Sequence, residues 1–502
     1  MVRIRLSHYT DLLRIGMPIM MGQMSTIIMG LADTLMVGRY GTDELAAAGF
    51  VNNILGLLII GGMGFSYGLT PVVGALLGEG RVHAIAGKLK NGLFACCAVG
   101  LLLMFLAGLL TVSLPWLGLP QELLPLMRPY LLTILLSLLP LMAFNAYKQF
   151  SDGIQDTAMP MWIMLVGNVL NIFGNWVLIF GHCGFPEMGL LGAGLATLLS
   201  RLLQLLLMAG VFHFTRRYDL YKRDFPDSHI TSTDQRELHR LGWPVALQLG
   251  MEAASFSLSA IYVGWLGSTA LAAHQIMIVI GQLFFMLYYG MSAAVAVRVS
   301  YYRGAGEVEQ TRRVASAGLH LCWLIGLCLS VPVLLMRSEI GLLFTHSTEV
   351  AALVAMVTVP FLFYQVGDAL QCTYANALRG MARVKAMVWI AFVAYIVISL
   401  PLGYLFGFVC HWGLVGIWMA FPFGLTTAGL LYYREFIVQN EESSSRGNQH
   451  CRGPCGSGTR QPGEKAWHRL NSLLSASLPH QYQRILWYCH HTRSKCSQLC
   501  YP

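Results

Sequence analysis

Residues from about 14 to 100 of this 502-residue chain return in its second half at one constant offset, 226 positions, the step from Gly38 to Gly264. Arg14, Gly16 and Pro18 reappear as Arg240, Gly242 and Pro244, and Leu45-Ala46-Ala47 as Leu271-Ala272-Ala273. Gly64, Gly78, Gly80 and Gly92 match Gly290, Gly304, Gly306 and Gly318. Accidental identities scatter over many offsets, so a single offset means two copies of one structural unit. Both copies are too apolar for water: 56% of the residues are hydrophobic and 11% charged, where soluble domains carry about 25% charged residues. A duplicated bundle in lipid is the ground plan of secondary transporters, whose binding sites lie where the repeats meet.

Apolar stretches long enough to cross a bilayer, about 20 residues each, recur from end to end. They predict six spans near 12–37, 46–77, 92–114, 130–150, 160–181 and 189–213. Six more follow near 240–265, 271–302, 314–336, 350–378, 386–409 and 413–434. The fold expected is all-α and polytopic, twelve helices in two six-helix lobes (1–214 and 240–436) joined by a polar linker, 215–239. Ser232 or Thr233, ahead of Arg236-Glu237, is the expected cap of the seventh helix. An even number of spans per half makes the repeat parallel, its pseudo-two-fold axis along the membrane normal. Basic residues crowd one side: Arg3, Arg5, Arg14, Arg81, Lys88 and Lys90, the linker arginines, then Arg298, Arg303, Arg312, Arg313, Arg379, Arg383 and Lys385. The other side has Arg39, Arg128 and Arg337. That bias places the N-terminus and the linker in the cytoplasm. It also accounts for the net charge of +9 without nucleic-acid binding. The first apolar stretch lacks a small-residue cleavage pattern and reads as an uncleaved anchor.

Carboxylates inside such spans cost several kcal/mol unless paired, hydrated or protonated. Asp33, Glu252 and Asp368 are the conspicuous ones, and none obeys the repeat: they align with Ser259, Thr26 and Leu141. The scaffold does not need them, so function does. Gln248, Glu252, Ser255 and Ser259 form one stripe on the seventh helix, Tyr364 and Asp368 share a face of the tenth, and Asn168, Asn171 and Asn175 line the fifth. Desolvation disfavours an ionised carboxyl, so each acid can hold a proton or surrender it to a sodium ion ringed by amides and backbone oxygens. A cationic solute competes for the same charge, and that competition is the minimum an antiporter requires. Met17, Met20, Met21 and Met24 on the first helix, with Phe284, Phe285, Met286, Tyr288 and Tyr289 on the eighth, offer adaptable and cation-attracting contacts. Met24, Gln248, Phe285, Tyr288 and Tyr289 are the expected substrate-lining set. Arg201, within the sixth span, reads as reaching outward to an interface.

Cysteines of the apolar region, Cys96, Cys97, Cys183, Cys322, Cys328, Cys372 and Cys410, lack metal-ligand spacing and read as packing residues. The tail, 437–502, differs in character and reads as a disordered or aberrant extension. Its Cys451, Cys455, Cys489, His490, His491 and Cys496 fall too irregularly for a zinc site.

Gly30-Leu31-Ala32-Asp33-Thr34-Leu35-Met36-Val37-Gly38 with Leu45-Ala46-Ala47 resembles the first-helix signature of multidrug and toxic compound extrusion (MATE) transporters. Thr70-Pro71-Val72-Val73-Gly74 through Gly78-Glu79-Gly80, and Ala377-Leu378-Arg379-Gly380, resemble the same family over roughly residues 10–436. Glu252 and Asp368 occupy acidic positions of its bacterial NorM-type branch. The resemblance implies a V of two lobes in the bacterial inner membrane, alternating between openings. It implies a monomer, surrounded by membrane lipids, that exports drugs and organic cations against inward Na+ or H+, with no cofactor beyond that ion and no enzymatic activity. Asp33 with Asn171 and Asn175 would form an N-lobe polar site, and Glu252, Asp368 and Tyr364 the C-lobe cation site. The related pattern with an Asp near Asn175 is absent, which favours the C-lobe site.

Two rival readings remain. A lipid-linked saccharide flippase of a related two-lobed fold would line its cavity with several cations, where these spans offer Arg201 alone. A polytopic transferase would gather His and Asp near one membrane face and would leave the duplication unexplained.

Overall fold

The computed structural model describes residues 4–117 and 122–450, and the zinc-like cysteines and histidines of the tail lie outside them. Among the described residues there is no strand. Six long helices form the first half: α1 Leu6–Tyr40, α2 Thr42–Gly78, α3 Val82–Ser113, α4 Leu124–Gly153, α5 Ala158–Phe180 and α6 Gly189–Phe214. The second half holds α7 Ser232–Trp265, α8 Ser268–Gly304, α9 Val308–Leu335, α10 Thr348–Gly380, α11 Lys385–Val409 and α12 Gly413–His450. The offset survives folding. α7, α8 and α9 begin 226 residues after α1, α2 and α3 (232 − 6, 268 − 42 and 308 − 82).

Eleven of these helices are long and apolar enough to cross a membrane, and the twelfth, α7, has the length but not the apolarity. Its deficit is its polar stripe, for Gln248, Glu252, Ser255 and Ser259 all face inward and are buried. The opposite design shows on α3, where Leu101, Phe105, Leu109 and Val112 recur on one exposed face. A contiguous apolar surface of that kind is stable under lipid and a liability in water. The chain is a multi-pass membrane protein.

The expected cap of α7 is off by one residue. Thr231 takes that place, its side chain accepting from the Asp234 N–H at 3.2 Å, because the helix already starts at Ser232. The linker is pinned to the first lobe: Lys88 Nζ donates to Asp234 at 2.7 Å, and Asn91 accepts from the Thr231 N–H at 3.0 Å. α12 runs on past residue 437 to His450, with Gln439 donating to Glu435 one turn back at 2.9 Å.

The lobes meet near the linker end through glycines, and the contacts are reciprocal. A Cβ on Gly64 would lie 2.7 Å from the Ala246 Cα; on its repeat mate Gly290 it would lie 2.9 Å from the Cα of Met20, the repeat mate of Ala246. Likewise Gly78 lies against the Tyr301 carbonyl and Gly304 against the Ala75 carbonyl. Such exchange of equivalent partners is what a two-fold axis between the halves produces. Farther along the same helices, Gly30, Gly56 and Gly250 have open space beside them. The lobes are therefore closed together at the linker end.

Candidate functional site

Two buried polar clusters form, one in each lobe. In the second lobe α7 and α10 face each other, and the Glu252 carboxylate accepts from Gln248 Nε2 at 2.9 Å and from Gln371 Nε2 at 2.8 Å. The same Gln371 nitrogen lies 3.5 Å from Asp368 Oδ1, whose other contact is the Cys372 thiol at 3.6 Å. One amide thus bridges two acids. Asp368 is 2% exposed with only these long contacts, and so meagre a set of donors leaves its carboxyl available to a ligand.

Next to this bridge is a cavity of about 20 Å³, lined by Gln248, Glu252, Phe285, Tyr289, Gln371 and Asn376 among others. Gln371 Oε1 and Asn376 Oδ1 are buried there without partners among the described residues. Carboxylate and amide oxygens around a space of roughly one water molecule suit a small hard cation. Ser255 lies one turn on, its hydroxyl donating to the Tyr395 carbonyl at 3.5 Å. Tyr395 belongs to a π-helical stretch of α11, Phe392–Ser399. Among the described residues no group of three or more His, Cys, Asp or Glu gathers as a metal-ion site.

In the first lobe Asn175 Nδ2 donates to Asp33 and, at 3.4 Å, to Asn171 Oδ1. Asn171 reaches Thr197 at 3.4 Å, and Asn168 donates to Ser25 at 2.8 Å. The three asparagines do share a buried face, as their spacing predicts, and Asp33 joins them from α1. No hydrogen-bond partner is common to the two clusters among the described residues.

The remaining expectations divide. Gln248, Phe285 and Tyr289 line the C-lobe cavity with Glu252, whereas Asp368, Tyr288 and Tyr364 do not. Tyr288 is packed in the core with Phe284, its hydroxyl occupying the space a Cβ on Gly326 would need. Tyr364 sits among Phe361, Trp418 and Phe421. Met24 is half-buried, Met17 and Met21 are exposed, and Met20 is buried against Gly290. Arg201 does not reach outward: it donates to Ser137 at 2.7 Å inside the first lobe. Arg298 and Arg379, counted with the cytoplasmic side, also turn into the bundle, from α8 and α10. Arg298 is paired with Asp11 at 2.6 Å, and Arg379 is buried. The residues missed from sequence are Gln371, Asn376 and Arg379. A signal existed for Gln371, which follows Asp368 by three positions and so shares its helix face.

A protein-family model, MatE, matches this chain twice, over residues 18–177 and 244–405. The chain belongs to the MatE family. The two matched segments begin 226 residues apart (244 − 18), so the family model lands once on each copy of the repeat. The MatE proteins are membrane transporters and not enzymes. Solved structures share the fold across nearly their full lengths. A MOP superfamily transporter from Pyrococcus furiosus superposes with a TM-score of 0.78 at 19% identity, covering 87% of this chain and 97% of that one. The Vibrio cholerae MATE transporter VcmN gives 0.77 at 19% identity, with coverage of 87% and 98%. A eukaryotic MATE transporter gives 0.78 at 18% identity, with coverage of 88% and 99%.

Proposed function

We propose that this MatE protein is a cation-coupled antiporter, moving Na+ or H+ inward while exporting organic cations and other drugs. The support is the Gln371 bridge: two buried acids of different helices share one amide donor, and that amide and Glu252 line a space the size of a small ion. Glu252 and Asp368 take the coupling ion, in the NorM manner, with Gln248 as a further ligand; Tyr364 supports the site from the packed aromatics behind it. Asp33, Asn171 and Asn175 form a second polar site in the first lobe. Phe285, Tyr289 and Met24 contribute contacts for an amphipathic cation, and Tyr288 acts by buttressing α8. The linker end is cytoplasmic by the bias of basic residues, so the closure seen there belongs to the outward-facing state. The setting is a bacterial inner membrane, and the chain works as a monomer among its lipids.

Ethidium efflux from proteoliposomes, with Na+ and pH gradients imposed separately, tests the reading. An inward gradient of one ion should drive extrusion, and Glu252→Gln or Asp368→Asn should abolish it while the protein stays folded. Extrusion indifferent to both gradients, or full activity in both variants, would overturn it.

A further inference from the structure

Arg379 occupies the last turn of α10, 4% exposed. Its Nη1 donates to the Tyr289 hydroxyl at 2.9 Å, its Nε has no partner, and no carboxylate pairs with it among the described residues. The guanidinium lies 4.9 Å from the ring centre of Tyr67, on α2 of the other lobe, and 5.8 Å from that of Tyr289. The two tyrosine rings touch each other across the lobes at 5.6 Å. Arg379 is therefore held in an aromatic seat built from both halves. It also lines the same small cavity as Glu252 and Gln371.

The charges around it are few. Glu252 shares the cavity with it, and Asp152 of α4 lies within electrostatic reach on the opposite lobe. Asp152 is paired with Lys148 at 2.9 Å and keeps one oxygen without a partner. Under the local alignment of Gly153 with Gly380, Asp152 is the repeat mate of Arg379. Duplicated positions have thus taken opposite charges near the lobe boundary.

We propose that Arg379 is the positioning residue that couples ion occupancy to closure of the linker end. The proposal rests on the antiport reading above. With the cavity empty, the negative charge of Glu252 attracts the guanidinium across it and steadies its seat on Tyr67. A cation bound among Glu252 and Gln371, or a proton on Glu252, removes that attraction or opposes it in a low-dielectric setting where charge interactions are strong. The seat weakens and the lobes part at the linker end. The sign is the one antiport requires: an outward-facing carrier that lacks its ion stays locked, and loading the ion releases it.

The test uses full-length protein in lipid nanodiscs, spin-labelled on the linker-side ends of α2 and α8, with interlobe distances measured against Na+ and against pH. Wild type should gain a linker-side-open population as Na+ rises or pH falls. Arg379→Gln should show that population without ion, raised at least tenfold and unresponsive to either titration, and Arg379→Lys should regain part of the response. Tyr67→Leu, which leaves the charge but removes the seat, gives an independent reading and should likewise open the linker end without ion. A wild type indifferent to both ions overturns the antiport reading together with this one. A wild type that responds, with Arg379→Gln responding at the same midpoint or Tyr67→Leu staying closed, overturns the role of Arg379 alone.

Discussion

At the scale of single residues, Gln371 organises the site more than either acid does. It donates to Glu252 at 2.8 Å and approaches Asp368 at 3.5 Å, so its amide fixes where the two carboxyls stand. Hydrogen bonds to charged groups contribute about 1.5–3 kcal/mol, which corresponds to roughly 10–100-fold in a binding constant. Gln371→Leu should therefore raise the half-saturating concentration of the coupling ion by about tenfold or more. Ethidium affinity should change little, and the ion dependence of efflux in proteoliposomes separates the two. The acids were legible in the sequence because a carboxyl in an apolar span has no structural excuse. Gln371 was overlooked because an amide in a membrane helix is ordinarily interhelical glue. Its value comes from α7, a helix more than a hundred residues away in the chain.

At the scale of elements, the glycines shared by the two halves have a packing reason. Gly304 lies so close to the Ala75 carbonyl that a Cβ would overlap the oxygen, and the obstacle is backbone that cannot rotate away. Gly304→Ala should hinder closure of the linker end and lower efflux at least tenfold, with the helical circular dichroism retained. Gly56→Ala is the contrasting case. Among the described residues a Cβ on Gly56 would meet nothing within 4 Å beyond its own stretch of helix, so the substitution should leave transport unchanged and stabilise α2 by up to about 1 kcal/mol through helix propensity. α7 shows the limit of reading elements by apolarity alone. Its polar stripe takes it below the apolarity of a membrane span, and the repeat, which aligns it with α1, identifies it anyway.

For the whole molecule, the closed linker end is held by polar ties as well as by glycines. Arg298 on α8 donates to Asp11 of α1 at 2.6 Å and to Gln155 at 3.1 Å, and His8 meets Gln310 at 2.8 Å. The Asp11 side chain is 45% exposed, so solvent screening limits this ion pair to about 0.5–1 kcal/mol. Asp11→Asn should then shift the population of the two openings two- to fivefold toward the linker-side-open form, measured as the distance distribution between spin labels on the linker-side ends of α2 and α8. A shift in the opposite direction would remove Asp11 from the closure.

The sequence by itself determined that the chain is duplicated, membrane-embedded and helical, because offset identities, apolar length and a deficit of charge are properties of the chain before it folds. It also singled out Asp33, Glu252, Asp368 and the asparagine stripe of α5, whose desolvation cost follows from residue type and span alone. Only the tertiary structure decided that Arg201 and Arg379 turn inward, that Tyr288 and Tyr364 pack behind the cavity, and that the lobes close at the linker end. Those outcomes depend on which helix faces which across the bundle. Facing is set by side-chain packing between distant segments, and a linear pattern of residues does not carry it.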